Sequence, residues 1–301
     1  MLLCHPHHRL IDQEKREEHP EDLLVAMKAA HEARIARVTA IGPELKSQIL
    51  VLRTPIGDAR PPSEIGAMRR AVLAAGRYPV SEEIVLEVVG APPTERRDDF
   101  WEKSRRDLDE FYGQRVHWRL SQAEPHFSVF GLAPIPLLIA FGKLLGDKTP
   151  AHVYQRSREP AGWEWPDHGE RLDYEIVAEK KLGDVHDVGL VLSVSDAVQR
   201  PDVEAVLPAG APVYELRIAV PRRDCVRSPE DVSRFLAEWQ RLLGRVRDWH
   251  QAHAPRLHLF PALPNSLAIA LGRGVLQKAH SRLSIYDLNR DLGGFRFAFD
   301  L

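Results

Sequence analysis

Cysteine is scarce in this chain of 301 residues, which contains only Cys4 and Cys225. Two cysteines so far apart in sequence do not make the network of bridges that holds small secreted domains together. The sequence therefore excludes a disulfide-rich scaffold, and it points to a reducing compartment such as the cytoplasm.

The chain also lacks a strong charge of either sign and an uninterrupted apolar run. Its 41 Lys and Arg residues against 43 Asp and Glu residues leave a net charge of −2, so no global positive field attracts nucleic acid. The apolar stretch at residues 129–145 is interrupted by Pro134, Pro136 and Lys143 and is short for a bilayer span. Histidines follow directly after Cys4, which leaves no room for a signal peptide. We therefore expect no membrane partner.

A dinucleotide-binding fingerprint is missing as well. No G-x-G-x-x-G follows a predicted strand, and the closest glycine pair, Gly272 and Gly274, lies in a predicted helix. This absence argues against a nicotinamide-dependent dehydrogenase.

What the sequence does contain is a regular alternation of strands and helices after about residue 79. The pattern predicts an α/β fold with mostly parallel sheets covered by helices. Before it, residues 1–40 are rich in histidine and charge, and residues 41–78 are predicted as a helical linker. We predict two lobes beyond the linker, at about residues 79–180 and 181–301.

An internal repeat supports the two lobes. A shift of 130 residues places Phe130 on Phe260, Pro134 on Pro264 and Gly142 on Gly272, so that F-x-x-x-P-x-x-L-x-I-A-x-G-[KR] occurs twice. A glycine inside a helix costs about 1 kcal/mol relative to alanine. We expect close packing of the helix against the sheet to compensate for this cost.

Two Rossmann-like lobes side by side predict a ligand between them. Ligands of parallel sheets bind beyond the carboxyl ends of the strands, where helix N-termini offer free N–H groups. Two such ends at one cleft suit a pseudo-symmetric anion with more than one phosphate.

Several separated segments resemble SAVED domains over about residues 80–301. They are the run from His126 to Ile139, the segment from Val153 to Trp165, the strand from Leu190 to Ser195 and the run from Leu257 to Arg273. The resemblance implies two fused CARF-like lobes that bind a cyclic di- or trinucleotide in bacterial anti-phage defence of CBASS type. It also implies self-association on ligand binding, which activates a fused effector.

The resemblance transfers a set of ligand-binding candidates to this chain. The set consists of Ser128, Phe130, Gln155, Arg156, Arg158, Trp163, Trp165, Ser193, Ser195, Phe260 and Pro264. Arginine matches phosphate bidentately and tryptophan stacks on bases. Equally, either tryptophan could fill the core, Ser128 could cap a helix, and Arg156 could form a surface ion pair.

The N-terminal segment resembles the second half of an HNH nuclease module, in which a strand leads into a helix. The resemblance implies that His8 is a ligand of a divalent metal such as Mg²⁺, and that His7 stands where many HNH modules keep a structural cysteine. The hairpin with the general base is absent before Cys4, so we expect no complete catalytic site. A late start of the sequence, a decayed nuclease and a histidine-rich surface helix all remain open.

Three hypotheses for the function follow. The first is a cyclic-nucleotide sensor fused to an HNH nuclease that cuts double-stranded DNA, with its nuclease part incomplete here. The second is a stand-alone cyclic-nucleotide-binding module without catalysis. The third is a metabolic enzyme on a Rossmann-like scaffold.

Overall fold

The computed structural model describes residues 5–54, 64–80, 82–88, 98–121, 125–166, 171–178, 185–250, 255–275 and 282–301. The helices in this part of the chain are α1 (His5–Arg9), α2 (Glu21–Thr39), α3 (Ile65–Ala74), α4 (Asp98–Arg115), α5 (Ile135–Leu145), α6 (Arg200–Glu204), α7 (Pro229–Trp249) and α8 (Asn265–Arg273). The strands are β1 (Lys46–Arg53), β2 (Tyr78–Pro79), β3 (Ile84–Glu87), β4 (Phe127–Leu132), β5 (Ala151–Val153), β6 (Ser157–Arg158), β7 (Ala161–Gly162), β8 (Tyr174–Val177), β9 (Asp187–Ser193), β10 (Val213–Ile218), β11 (Arg256–Ala262), β12 (Leu283–Asn289) and β13 (Gly294–Asp300).

The first lobe is built on a parallel sheet in which β1 is central. This strand pairs with β4 on one side and with β2 and β3 on the other, and β5 follows β4. Six consecutive residues of β1 are buried, as expected for a parallel strand that is covered on both faces. The prediction of parallel sheets is confirmed.

The position of β1 corrects the predicted linker at residues 41–78. This strand lies inside that range, and its partner β4 is almost 80 residues further along the chain. Helix α3 also lies there and packs Met68, Ala71 and Val72 against Ile49 and Val51 of β1. The sequence did not reveal this arrangement because the pairing is non-local, and the first lobe begins before residue 79.

The second lobe has a six-stranded sheet in the order β13-β12-β11-β9-β10-β8. Its four central strands run parallel, and the two edge strands, β8 and β13, run antiparallel to their neighbours. The strands predicted at residues 188–194, 213–220, 257–260 and 283–286 all occur within three residues of those bounds.

One continuous core joins the two lobes. It contains side chains from one face of each sheet, together with the buried faces of α4, α5, α7 and α8. Helix α3 covers the other face of the first sheet, and α6 covers the other face of the second. The four shared helices therefore lie between the sheets and fix the lobes against each other.

The closest contact between the lobes is made by the two repeated glycines. A Cβ atom on Gly142 of α5 would overlap the main-chain oxygen of Ile269, and a Cβ atom on Gly272 of α8 would overlap that of Ile139. The contacts are reciprocal, as at a two-fold axis. The prediction that these glycines allow close packing against the sheet is therefore wrong. Each glycine packs against the helix of the other lobe.

The repeat extends to an aromatic cluster in each lobe. Tyr154 stacks on Phe130 with ring centroids 4.6 Å apart, and Tyr286 stacks on Phe260 at the same distance. A third ring meets each phenylalanine edge-on at 5.0 Å, Trp163 in the first lobe and Phe295 in the second. The two lobes therefore share their packing as well as their topology.

The N-terminal segment differs from the strand and helix that the HNH resemblance implies. Residues 5–9 form α1, residues 10–14 a π-helical turn and residues 16–18 a 3₁₀ turn before α2. The helix predicted over residues 21–37 is present, and the side chains described along it are exposed or half-buried. Of the helices in the described ranges, none combines the length and the hydropathy that a membrane span requires.

The glycine contact predicts opposite effects for the same substitution at different helical sites. We expect Gly142→Ala or Gly272→Ala to lower the free energy of unfolding by about 1–3 kcal/mol, because the methyl group overpacks the helix pair. Gly113→Ala in α4 is the control, since a Cβ there meets no atom within 4 Å. It should stabilise the protein by about 0.5–1 kcal/mol. Urea unfolding midpoints measure all three, and a stabilised Gly142→Ala protein would contradict the assignment.

Candidate ligand-binding cleft

A cleft of about 280 Å³ opens where strands of both sheets end. Its walls consist of Leu132, Gln155, Arg156, Arg158, Ser195, Arg223, Asp224, Leu263, Pro264 and Asn265. Apart from Arg158 in β6, these residues follow or end β4, β5, β9, β10 and β11. The cleft therefore lies at the carboxyl ends of parallel strands, where α/β proteins bind ligands.

Part of the predicted site residues meet in this cleft. They are Gln155, Arg156, Arg158, Ser195 and Pro264. Four of them follow a strand of one of the two large sheets, and Arg158 lies in β6 of the small ribbon. Gln155, Arg156 and Arg158 come from the first lobe, and Ser195 and Pro264 come from the second.

Other predicted site residues lie in the core and not in the cleft. They are Ser128, Phe130, Trp163, Ser193 and Phe260, each at most 2% exposed. Four of them lie within strands, where alternate side chains point into the layers between sheet and helix. Trp163 packs against Phe130, which corrects its predicted role as a stacking platform for a base. Ser193 donates a hydrogen bond to the Glu215 carboxylate at 2.5 Å.

Trp165 occupies a position between these two groups. It is half-buried and lines a small cavity next to the cleft together with Gln155 and Arg156. It also lines a larger cavity, of about 550 Å³. Its indole can therefore reach a ligand only at the margin of the cleft.

Arg156 binds a carboxylate of its own chain. Its Nη2 and Nε donate to both oxygens of Glu64, at 2.7 Å for Nη2 and 3.0–3.1 Å for Nε. The indole N–H of Trp163 donates to the same carboxylate at 2.6 Å. Chiefly the hydrogen bond from Arg156 holds the pKa of Glu64 below its ordinary value, although burial opposes this shift. Arg156 thus lines the cleft as one half of an ion pair.

Two further arginines bring positive charge to the cleft from opposite lobes. Arg158 lies on the ribbon of β6 and β7 in the first lobe, and Arg223 follows β10 in the second. Both are exposed, and no ion pair involves either of them in the described part of the chain. Asp224 is the acidic side chain of the cleft wall. Guanidinium groups placed in this way match phosphate oxygens.

The start of α8 ties the two lobes together at the floor of the cleft. Gln155 accepts hydrogen bonds from the main-chain N–H and the hydroxyl of Ser266 at 3.0 and 2.8 Å. The Asn265 side chain donates to the Gly131 carbonyl at 2.9 Å. These contacts hold the ends of β4, β5 and α8 in one place.

Sequence analysis missed five residues of the wall. They are Leu132, Arg223, Asp224, Leu263 and Asn265. Leu263 and Asn265 flank Pro264 inside the repeated motif, so the repeat could have indicated them. Arg223 and Asp224 lie in an irregular segment after β10, where no periodic pattern identifies a residue.

The metal site implied for the N-terminal segment does not fit the described residues. His8 lies in the short helix α1. In the ranges that the structure describes, no three His, Cys, Asp or Glu side chains come together to hold a metal ion. His8 alone cannot form a site for a hard divalent cation, which prefers several oxygen ligands.

A family model and solved structures match the chain. The model of the SAVED family, described as "SMODS-associated and fused to various effectors sensor domain", matches residues 106–301. The Acinetobacter baumannii Cap4 SAVED/CARF-domain containing receptor with the cyclic trinucleotide 2′3′3′-cAAA matches with a TM-score of 0.56 and 11% identity, over 85% of this chain and 52% of the receptor. The Moraxella osloensis Cap4 receptor matches at 0.51 and 12%, over 85% and 50%.

At these identities the structural matches show the fold, which is that of two CARF-like lobes with parallel sheets. The chain spans about half the length of the receptors it matches. No curated protein sequence matches it.

The ion pair of the cleft predicts a pH-dependent effect of Glu64→Gln. At pH 7 we expect this change to lower the free energy of unfolding by about 1–3 kcal/mol, because Arg156 loses a charged acceptor. Since the folded state lowers the pKa of Glu64, this stabilisation is present above the ordinary value of 4.5 and is lost as pH falls through the lower folded value.

Urea unfolding of both proteins between pH 7 and 3.5 should therefore show a difference that shrinks in acid. Glu175→Gln is the control, because Glu175 pairs with Arg217 at 3.1 Å on the exposed surface and should contribute little. A difference that grows in acid would contradict the assignment.

Proposed function

This chain belongs to the SAVED family of sensor domains, and we propose that it is a receptor that binds a cyclic di- or trinucleotide in the cleft. The observation that carries the proposal is that each lobe contributes one exposed arginine, Arg158 or Arg223, to a cleft at the carboxyl ends of the strands. The ligand of this receptor is a signal in bacterial anti-phage defence of CBASS type.

The chemistry of the cleft supports a nucleotide with more than one phosphate. Each guanidinium can take one phosphate through paired N–H donors. Arg156 is held by Glu64, so it reaches a phosphate only in competition with that carboxylate. Asp224 offers acceptor oxygens to base edges, whereas Gln155 and Asn265 are held by hydrogen bonds to Ser266 and Gly131.

The bases themselves have apolar surface available in the wall. Leu132, Leu263 and Pro264 line the cleft, and Trp165 lies in the adjoining cavity. Because Trp163 is buried, base stacking depends on Trp165 and not on Trp163. The similarity to receptors that were solved with cyclic trinucleotides supports the same ligand class.

We propose further that ligand binding promotes self-association and controls an effector. Residues 1–40 would connect the sensor to an HNH nuclease module that acts on double-stranded DNA with a divalent metal. The alternative is a binding module whose partner carries the catalytic activity. In the described residues no three His, Cys, Asp or Glu side chains come together as ligands for such a metal. A dehydrogenase on this scaffold is disfavoured by the missing phosphate-binding glycine motif.

The exposed Arg158 and Arg223 predict that removing either guanidinium lowers the ligand affinity in a salt-dependent way. Arg158→Ala or Arg223→Ala should weaken binding of the cyclic nucleotide by about 10–100-fold, because each removes a charged hydrogen bond of about 1.5–3 kcal/mol. The loss should be smaller at high salt, since exposed charges are screened. Calorimetry with a panel of cyclic di- and trinucleotides, including 3′3′3′-cAAA, measures the affinities at low and high salt.

Arg222→Ala is the matched control, because Arg222 is adjacent in sequence, exposed and outside the cleft wall. Saturating ligand at 100 times its dissociation constant should stabilise the parent protein by about 2.7 kcal/mol. The proposal fails if no cyclic di- or trinucleotide raises the melting temperature up to millimolar concentration. It also fails if Arg222→Ala weakens binding as much as Arg223→Ala.

The N-terminal segment predicts an absence of cleavage. We expect the chain of 301 residues to leave plasmid DNA intact in Mg²⁺, with and without the cyclic nucleotide, because one histidine cannot both hold a metal and remove a proton. Agarose gels report the result. Ligand-dependent cleavage that is lost in His8→Ala would show that this chain does assemble a nuclease site.

A further inference from the structure

A second cavity, of about 550 Å³, lies beside β5 on the side away from β4 and is called the edge cavity here. Its walls consist of Ala75, Asp147, Ala151, His152, Val153, Tyr154, Trp165, Pro229, Val232, Ser233, Leu236, Ala270, Arg273 and Gly274. None of these residues lines the cleft. The volume lies in the range of sites that enclose small molecules.

The part of the edge cavity formed by α7, α8 and Trp165 is apolar and aromatic. Val232 and Leu236 of α7 face it, together with Ala270 of α8. Trp165 continues a column of rings, because Tyr154 stacks on Phe130 at an interplanar angle of 12° and Trp165 lies at 21° to Tyr154, 6.4 Å away. A half-buried indole at the end of a ring column offers a surface for a flat aromatic ligand.

Another part of the wall carries the guanidinium of Arg273, which has no carboxylate partner at ion-pair distance among the described residues. Arg273 donates to the carbonyl oxygens of Gly146, Ala151 and Thr149 at 3.0, 3.1 and 2.6 Å. A guanidinium has five N–H donors, so two remain for another acceptor. No ion pair involves Arg273 in the ranges that the structure describes. The strong main-chain bonds hold the group at a fixed place in the wall.

Arg273 is the cationic side chain among the walls of the edge cavity. Burial lowers the pKa of Arg273, and Asp147 opposes this shift. Burial also lowers the pKa of His152, with further contributions from Arg77 and Arg273, which favours the neutral imidazole. Asp147 is the acidic residue among the cavity walls, and its side chain is exposed.

The unpaired edge of β5 adds main-chain donors to the wall of the edge cavity. Tyr154 N–H bonds to Val129 and Phe127 N–H bonds to Pro150, so the main-chain groups of Ala151 and Val153 point away from β4. The bond from Arg273 to the Ala151 oxygen agrees with this direction. In the second lobe, β13 pairs with β12 at the corresponding edge. The edge of β5 has no such strand in the described part of the chain.

We propose that the edge cavity binds an aromatic monocarboxylate, with its ring against Trp165 and its carboxylate on Arg273. One guanidinium with two spare N–H donors matches the charge and the geometry of a single carboxylate. A phosphate dianion would leave charge uncompensated, because the wall offers one cation and an opposing Asp147. This site is separate from the cyclic-nucleotide cleft and does not depend on the function proposed for it.

The experiment uses the whole chain and 2-naphthoate as the probe, with 2-naphthamide as its uncharged counterpart. Isothermal titration should show that 2-naphthoate binds at least tenfold more tightly than 2-naphthamide. Ser233→Trp should abolish binding, because the new side chain fills the cavity from an exposed position of α7. Ala237→Trp, one turn further along the same exposed face and outside the cavity wall, should leave binding unchanged.

Two comparisons locate the bound probe. Arg158→Glu changes the cleft and should leave naphthoate binding unchanged, whereas loss of binding in this variant would assign the probe to the cleft and overturn the proposal. Equal affinities for 2-naphthoate and 2-naphthamide would show that Arg273 does not bind the carboxylate, which would contradict the proposal. Unchanged binding by Ser233→Trp, or no heat up to millimolar 2-naphthoate, would also overturn it. Melting temperatures of the variants confirm that each one is folded.

Discussion

The geometry of this protein depends on one contact, the approach of α5 and α8 at Gly142 and Gly272. Each glycine meets the main-chain oxygen of the other helix, so the two backbones are as close as they can be without a side chain between them. The shared core, the position of the two sheets and the meeting of their strand ends all follow from this contact. The cleft exists because two similar lobes are held at a short distance with their carboxyl ends on one side.

Much of this arrangement could be predicted from the sequence. Phe130, Pro134 and Gly142 recur at a fixed shift of 130 residues, and local periodicity identified the strands and helices around them. The central position of β1 could not be predicted, because its pairing with β4 spans a long loop of chain. The partner of the glycines was also hidden, since a glycine in a helix indicates close packing without indicating what approaches it.

The predicted site residues fall into two groups, those that follow strands and those that lie within strands. Gln155 and Ser195 were candidates through their motif positions, and they line the cleft because they follow strands at the carboxyl end of a parallel sheet. Residues within strands, such as Ser128 and Phe260, were expected there from motif position, but the alternation of a strand points them into the core. Arg223 carries no pattern of its own, since it lies in an irregular segment that only the folded second lobe brings to the cleft.

The carboxylate of Glu64 binds the guanidinium of Arg156, so it competes with any phosphate for this arginine of the cleft wall. Glu64 does not line the cleft, yet it pairs with Arg156 of the cleft wall and accepts a hydrogen bond from Trp163 of the core. An incoming phosphate that recruits Arg156 must displace an anion that is covalently part of the receptor and therefore always present at high effective concentration. In the function proposed above, the affinity for a phosphate at Arg156 depends on Glu64, a residue that does not itself line the cleft.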